Sequence, residues 1–207
     1  MNDRLDVLDY RRRVFEMYAG VRAGRSHPET ACLEFRRARD DLFRAHPQSA
    51  LAPEQRAVCT GLPYFRYDPS LRFTLPVDTA VEPGVIEVHL RDDGIMRLRR
   101  VGRVLFSIGG RGVSLSLFWI MGYGGGVFLP FKDLTSSETT YQGGRYLLDT
   151  IKGADLGGEG TRLIVDFNYA YNPSCAYQGR WDCPLAPEEN HLSVAIPAGE
   201  QRFPRTS

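Results

Sequence analysis

The sequence predicts a mainly β protein with helices at its amino end, an α+β arrangement built on an antiparallel β-barrel or strongly curled meander of about eight strands. Three observations predict it. Helical periodicity is confined to roughly the first sixty residues. After Thr60 the chain reads as short apolar or alternating runs separated by Gly, Asp and Ser turns. No helical stretch lies between those runs, so consecutive strands pair as hairpins, and a sheet of that size buries one face and protects its edges by curling or closing.

The elements follow in order. From Asp3 to Ala19 the residues Leu5, Leu8, Val14, Phe15 and Tyr18 fall near one stripe, interrupted by Arg11, Arg12 and Arg13. Gly20 to Pro28 reads as a break. A second helix starts at Pro28, where a missing N–H costs nothing, and runs to about Ala45 with Leu33, Phe35, Ala38, Leu42 and Phe43 on its apolar side. Pro47 stops it, and a short helical turn follows over Pro53–Val58. Residues 1–60 are thus a helical segment that packs on a β domain spanning 61–207. The predicted strands are Leu71–Leu75, Val85–Leu90, Ile95–Ile108, Val113–Met121, Gly126–Lys132, Thr139–Leu148, Thr161–Asn168 and Leu192–Ile196. Asp93-Gly94 and Gly109-Gly110 are tight hairpin signals, because glycine tolerates the positive φ of such turns. Gly122–Gly126 reads as a further hairpin turn and matches no phosphate loop. Gly143-Gly144 marks a bulge or a close backbone approach.

Composition narrows the function classes. With 26 Lys and Arg against 25 Asp and Glu, the net charge of +1 supplies no field for gathering nucleic acid or anionic membrane. The runs Arg11–Arg13 and Arg36, Arg37, Arg39 are interleaved with acidic residues and read as solvated helix faces. The charged amino end is not a signal peptide, and no apolar run reaches the length of a membrane span. A cytoplasmic protein is expected, in which the four cysteines are thiols.

Three sequence blocks carry the most information. The first runs Phe35-Arg36-Arg37-Ala38-Arg39-Asp40-Asp41-Leu42-Phe43, then His46-Pro47-Gln48-Ser49, then Gly61 to Pro69. The second is Leu129-Pro130-Phe131-Lys132-Asp133-Leu134-Thr135 with Thr140-Tyr141-Gln142-Gly143-Gly144-Arg145-Tyr146-Leu147. The third runs from Asp166-Phe167-Asn168-Tyr169-Ala170-Tyr171-Asn172-Pro173-Ser174-Cys175-Ala176-Tyr177 through Cys183-Pro184-Leu185-Ala186-Pro187-Glu188-Glu189-Asn190 to Ala198-Gly199-Glu200. In these blocks the chain resembles the bacterial and archaeal domain of unknown function numbered 1684, over roughly Phe35 to Glu200. Ala50 and Ser137 depart from the family pattern, Ser137 by interrupting a Gly-containing turn. The resemblance implies a β-rich domain with a family-defining polar cluster and implies no reaction.

Alternation along a strand from Thr161 to Asn168 turns Asp166 and Asn168 to one face. Arg145 offers a planar fork that suits Asp166 or Asp133, either as a register-fixing pair or as an arginine held ready for a ligand's anionic or carbonyl group. Asp166, Arg145 and Cys175 are therefore the catalytic candidates, and Tyr141, Asn168, Tyr171, Asn172, Tyr177, Cys183, Glu189 and Asn190 the ligand-binding ones. Cys175 and Cys183 lie at neither a zinc nor a redox spacing; adding His191 makes a weak metal set, and no metal or other cofactor is assigned. The expected function is small-molecule binding in a barrel, extending to cofactor-independent catalysis on a small organic substrate. The rival is a non-catalytic structural or protein-interaction module whose signature residues only hold the fold. Nucleic-acid and membrane partners are not expected, and exposed strand edges would allow a homodimer.

Overall fold

The computed structural model describes residues 3–92 and 94–204; Asp93, half of the predicted Asp93-Gly94 turn, lies outside the described residues. Two long helices open the chain, α1 (Asp3–Ala23) and α2 (Pro28–Ala45), followed by the short α3 (Pro53–Val58). Helix α2 has the predicted limits, and His46 before Pro47 is extended, as the residue preceding a proline prefers. Helix α1 continues through Gly20, because Val21 adds a buried residue to Val14 and Tyr18. The predicted stripe is only half realised. Leu5, Leu8 and Phe15 on α1 and Leu33 on α2 are exposed, since α1 meets the core through Val14, Tyr18 and Val21. On α2 the buried face contains Arg36 and Arg39, which the charge pattern assigned to solvent.

Among the described residues eight strands follow, as two antiparallel sheets and not as a closed barrel. The strands β1 (Arg72–Pro76), β7 (Gly158–Glu159) and β8 (Arg162–Asp166) form a three-stranded sheet in the order β1-β8-β7. The strands β2 (Val85–Leu90), β3 (Gly94–Ile108), β4 (Arg111–Ile120), β5 (Gly126–Phe131) and β6 (Arg145–Asp149) form a five-stranded meander in chain order. Gly109 and Gly110 both take positive φ between β3 and β4, as the predicted hairpin requires. Gly144 has φ +86, and a Cβ there would lie 2.4 Å from the Phe131 carbonyl oxygen, so the predicted close backbone approach is real.

The barrel fails to close for an identifiable reason. Two predicted strands, most of Thr139–Leu148 and all of Leu192–Ile196, are irregular among the described residues. Arg145 donates to the carbonyls of Ile196, Ala198 and Glu200, and Asp133 accepts from the Ile196 N–H. Leu192 and Val194 still bond the backbone of Lys132 and Leu134, but from Ile196 onward side chains take backbone groups that a neighbouring strand would have used.

The sheets meet through aromatic rings. Phe167 sits 5.5 Å from Phe106 and 5.2 Å from Phe131, while Phe73 reaches Phe106 at 5.1 Å. Helix α2 joins this core through Phe35, which meets Tyr169 edge-on at 5.1 Å and Tyr18 of α1 at 4.9 Å.

Candidate functional site

Strand β8 ends at Asp166, and a 3-10 turn over Phe167–Tyr169 follows. Asp166 and Asn168 are therefore brought together by a turn and not by strand alternation. One oxygen of Asp166 accepts from the Asn168 backbone at 3.0 Å and from its side-chain amide at 2.8 Å; the other lies 3.6 Å from Arg72 Nε. Burial raises the Asp166 pKa, against the lowering effect of the Asn168 hydrogen bonds and of Arg72 and Arg36. Asn168 also clasps Asp68, accepting from its N–H and donating to its carbonyl, both at 2.8 Å. The space beside Asp166 is a crevice of about 10 Å³, no larger than one water.

Arg145 is buried, and its carboxylate partner is Asp133 at 3.3 Å, not Asp166. Burial lowers its pKa, while Asp133 opposes that shift. Glu189 and Asn190 serve the outer side of the meander. Glu189 grips Arg100 with both oxygens, at 2.8 and 2.7 Å, and accepts from Ser116 Oγ at 2.6 Å. Asn190 bonds the Ser116 N–H, the Ser116 carbonyl and the Pro130 carbonyl, tying β4 to β5.

The sizeable cleft, of about 390 Å³, lies between α1 and the loop that follows β8. That volume is enough for a small organic ligand. Tyr171, Asn172 and Cys183 border it; the other eight candidates, Asp166, Arg145, Cys175, Tyr141, Asn168, Tyr177, Glu189 and Asn190, do not.

Sequence reasoning missed the group at its centre. Arg39 projects from α2 into the cleft wall, with its Nε donating to Glu200 Oε1 at 2.5 Å. Its guanidinium lies over the rings of Phe43, at 4.4 Å, and Tyr171, at 5.2 Å. Burial alone would lower its pKa, but the adjacent Glu200 carboxylate prevails and holds it well above the ordinary value. Glu200, itself buried, also accepts from the Asn172 N–H at 2.8 Å and the Tyr177 hydroxyl at 2.6 Å. Tyr177 thus stands one layer behind the cleft. Arg39 Nη1 and Nη2 make no hydrogen bond among the described residues. One signal was available: Arg39 lies four residues from both Phe35 and Phe43, on the apolar stripe of α2.

Around Arg39 the cleft carries the hydroxyls of Tyr10, Tyr18 and Tyr171, none hydrogen-bonded among the described residues. Burial raises the pKa of all three, so they remain protonated donors. Two buried polar atoms in the lining lack partners, Asn172 Oδ1 and Trp181 Nε1. Native structures rarely leave such groups unpaired. The lining also holds Arg11 and Lys152 against the carboxylates of Asp149, which lies 3.4 Å from Lys152, and Asp182.

Among the described residues no three His, Cys, Asp or Glu side chains gather as a metal site, and Cys175, Cys183 and His191 do not form such a group. No described helix is long and apolar enough to cross a membrane.

Comparison with known proteins places this geometry in a family without assigning it a task. No curated protein matches the chain. An uncharacterized protein from gene locus rrnAC0354 of Haloarcula marismortui, solved in solution by NMR, is 33% identical; the match covers 84% of this chain and 93% of that one, with a TM-score of 0.58. The family described as protein of unknown function (DUF1684) matches residues 58–201, from the end of α3 through Gln201. The chain therefore belongs to the DUF1684 family, whose function is unknown.

Proposed function

We propose that this protein binds a small organic anion, a carboxylate or similar planar oxyanion on a flat apolar body, in the cleft between α1 and the loop after β8. The observation that carries the reading is Arg39. Its Nε edge is tied to Glu200 and its faces are covered by Phe43 and Tyr171, so its free donors are the two terminal nitrogens. A guanidinium fixed in this way loses little entropy on meeting an oxyanion bidentately. The hydroxyls of Tyr10, Tyr18 and Tyr171 supply further donors, and the aromatic lining suits an apolar body. Asn172 Oδ1 is a buried acceptor of the lining without a donor among the described residues, which favours a ligand that also carries a hydroxyl or an amine.

The rival reading, in which signature residues only hold the fold, is favoured for part of the cluster. Arg145, Asp166, Asn168 and Asn190 spend most of their hydrogen-bonding capacity inside the chain. The two readings divide the signature between them: Tyr171, Asn172 and Cys183 for the cleft, the others for the scaffold. Calorimetric titration with a panel of aromatic and aliphatic carboxylates tests the proposal. A binding carboxylate should lose roughly ten- to hundred-fold in affinity in Arg39→Lys, the loss of a charged hydrogen bond. The matching carboxamide should bind weakly to both proteins. Failure of every organic anion to bind, or equal affinity for wild type and Arg39→Lys, would overturn the proposal.

A further inference from the structure

Apart from the anion reading, one pair of reactive groups stands beside the cleft. Cys175 and Cys183, with seven residues between them in the signature loop, lie beside each other. The Cys175 N–H donates to Cys183 Sγ at 3.4 Å, and the Tyr141 hydroxyl donates to Cys175 Sγ at 3.6 Å. Both cysteines are half-buried and free, and Cys183 borders the cleft. The loop between them begins with the buried Ala176 and Tyr177 and continues through Gly179 and Arg180, which are exposed.

We propose that Cys175 and Cys183 form a dithiol that reduces a hydroperoxide and closes to an intramolecular disulfide. Cys175 Sγ, as thiolate, attacks the terminal oxygen of the hydroperoxide. The O–O bond breaks, the departing alkoxide takes a proton and leaves as an alcohol (water, for hydrogen peroxide), and Cys175 becomes a sulfenic acid. Cys183 Sγ then attacks the Cys175 sulfur; the S–S bond forms, the S–O bond breaks, and the oxygen leaves as water. Two thiols are oxidised and one hydroperoxide is reduced to alcohol plus water.

The assignment of roles follows from the contacts. Hydrogen bonds from Cys183 and Tyr141 oppose burial and bring the Cys175 thiol down to about 7, whereas donating to that sulfur pushes Cys183 up. A thiolate at neutral pH is the nucleophile, and a neighbouring thiol is what converts its sulfenic acid to a disulfide. Cys32 provides the contrast: it is fully buried, its pKa is pushed up to about 12, and its thiol faces the Asn168 carbonyl at 3.7 Å.

The test uses the reduced full chain and one equivalent of hydrogen peroxide, followed by alkylation and mass spectrometry. Before alkylation the intact mass should fall by two hydrogens. Trypsin cuts after Arg180, between the two cysteines, so the product should appear as two peptides joined through Cys175 and Cys183. Cys175→Ser should slow the oxidation of Cys183 by about tenfold or more, and Cys183→Ser should leave a sulfenic acid at Cys175 that a carbon-acid probe traps. Oxygen added at either sulfur of the wild type without the link would overturn the proposal. So would oxidation of Cys59 ahead of this pair. Peptide mapping of the wild type decides the matter even if a variant fails to fold, and it does not depend on whether the cleft takes an anion.

Discussion

Asp166 carries its hydrogen bonds and its cost in the same two oxygens. Burial favours the protonated carboxyl, and the turn formed by Asn168 partly offsets it. Because the folded pKa lies above the unfolded one, the folded chain binds more proton in the window just above the ordinary aspartate range, and this group's contribution to stability falls as pH rises through it. An Asp166→Asn variant keeps an acceptor for both Asn168 bonds and lacks that slope. Denaturant unfolding from pH 4 to 7 should therefore show wild type gaining on the variant toward the acid end; parallel curves would remove Asp166 from the account. At this scale sequence reasoning was partial. It singled out Asp166, Arg145 and the two cysteines because their types are conspicuous. It missed Arg39 because a charge on a helix advertises solvent, and the carboxylate that makes burial possible lies 161 positions away.

Among elements, helices and hairpins were legible where local chemistry decides them: Pro28 and Pro47 bound α2, and Gly109-Gly110 turns β3 into β4. Leu192–Ile196 shows what periodicity does not contain. Its burial does alternate, with Leu192, Val194 and Ile196 inside and Ser193 and Ala195 outside. Alternation reports which side chains face the core, while a ladder needs backbone partners, and the ladder that Leu192 and Val194 begin with Lys132 and Leu134 stops at Ile196, whose backbone groups Arg145 and Asp133 take. The neighbouring turn yields a prediction of two signs. Ser137 is the one non-glycine among the described residues with positive φ, at +77, and its side chain makes no hydrogen bond there. Ser137→Gly should stabilise the protein by about 0.5–1 kcal/mol, the left-handed strain relieved less the extra freedom of unfolded glycine. Gly144→Ala should destabilise it by about 2 kcal/mol or more, since strain and a backbone clash combine. Urea midpoints at unchanged slope check both.

At the scale of the molecule, one hydrophobic cluster contains Val14 and Phe35 from the helices, Val104 and Leu117 from the meander, and Val165 from the smaller sheet. Nothing in that core allows the helices to melt separately from the sheets, so unfolding should be a single cooperative transition. The two tryptophans offer a check: Trp119 sits on β4 and Trp181 at the cleft. Their fluorescence and far-ultraviolet circular dichroism should share one midpoint, and two separated midpoints would count against a common core.

The Arg39–Glu200 contact also carries a consequence in time. Hairpins such as β3–β4 close over a few residues, but this pair waits on a loop of 161. During synthesis α2 emerges early and stays without its carboxylate until Glu200, 161 positions later, has left the ribosome. A nascent or truncated chain that stops short of Glu200 therefore leaves Arg39 without its carboxylate and the cleft without that wall.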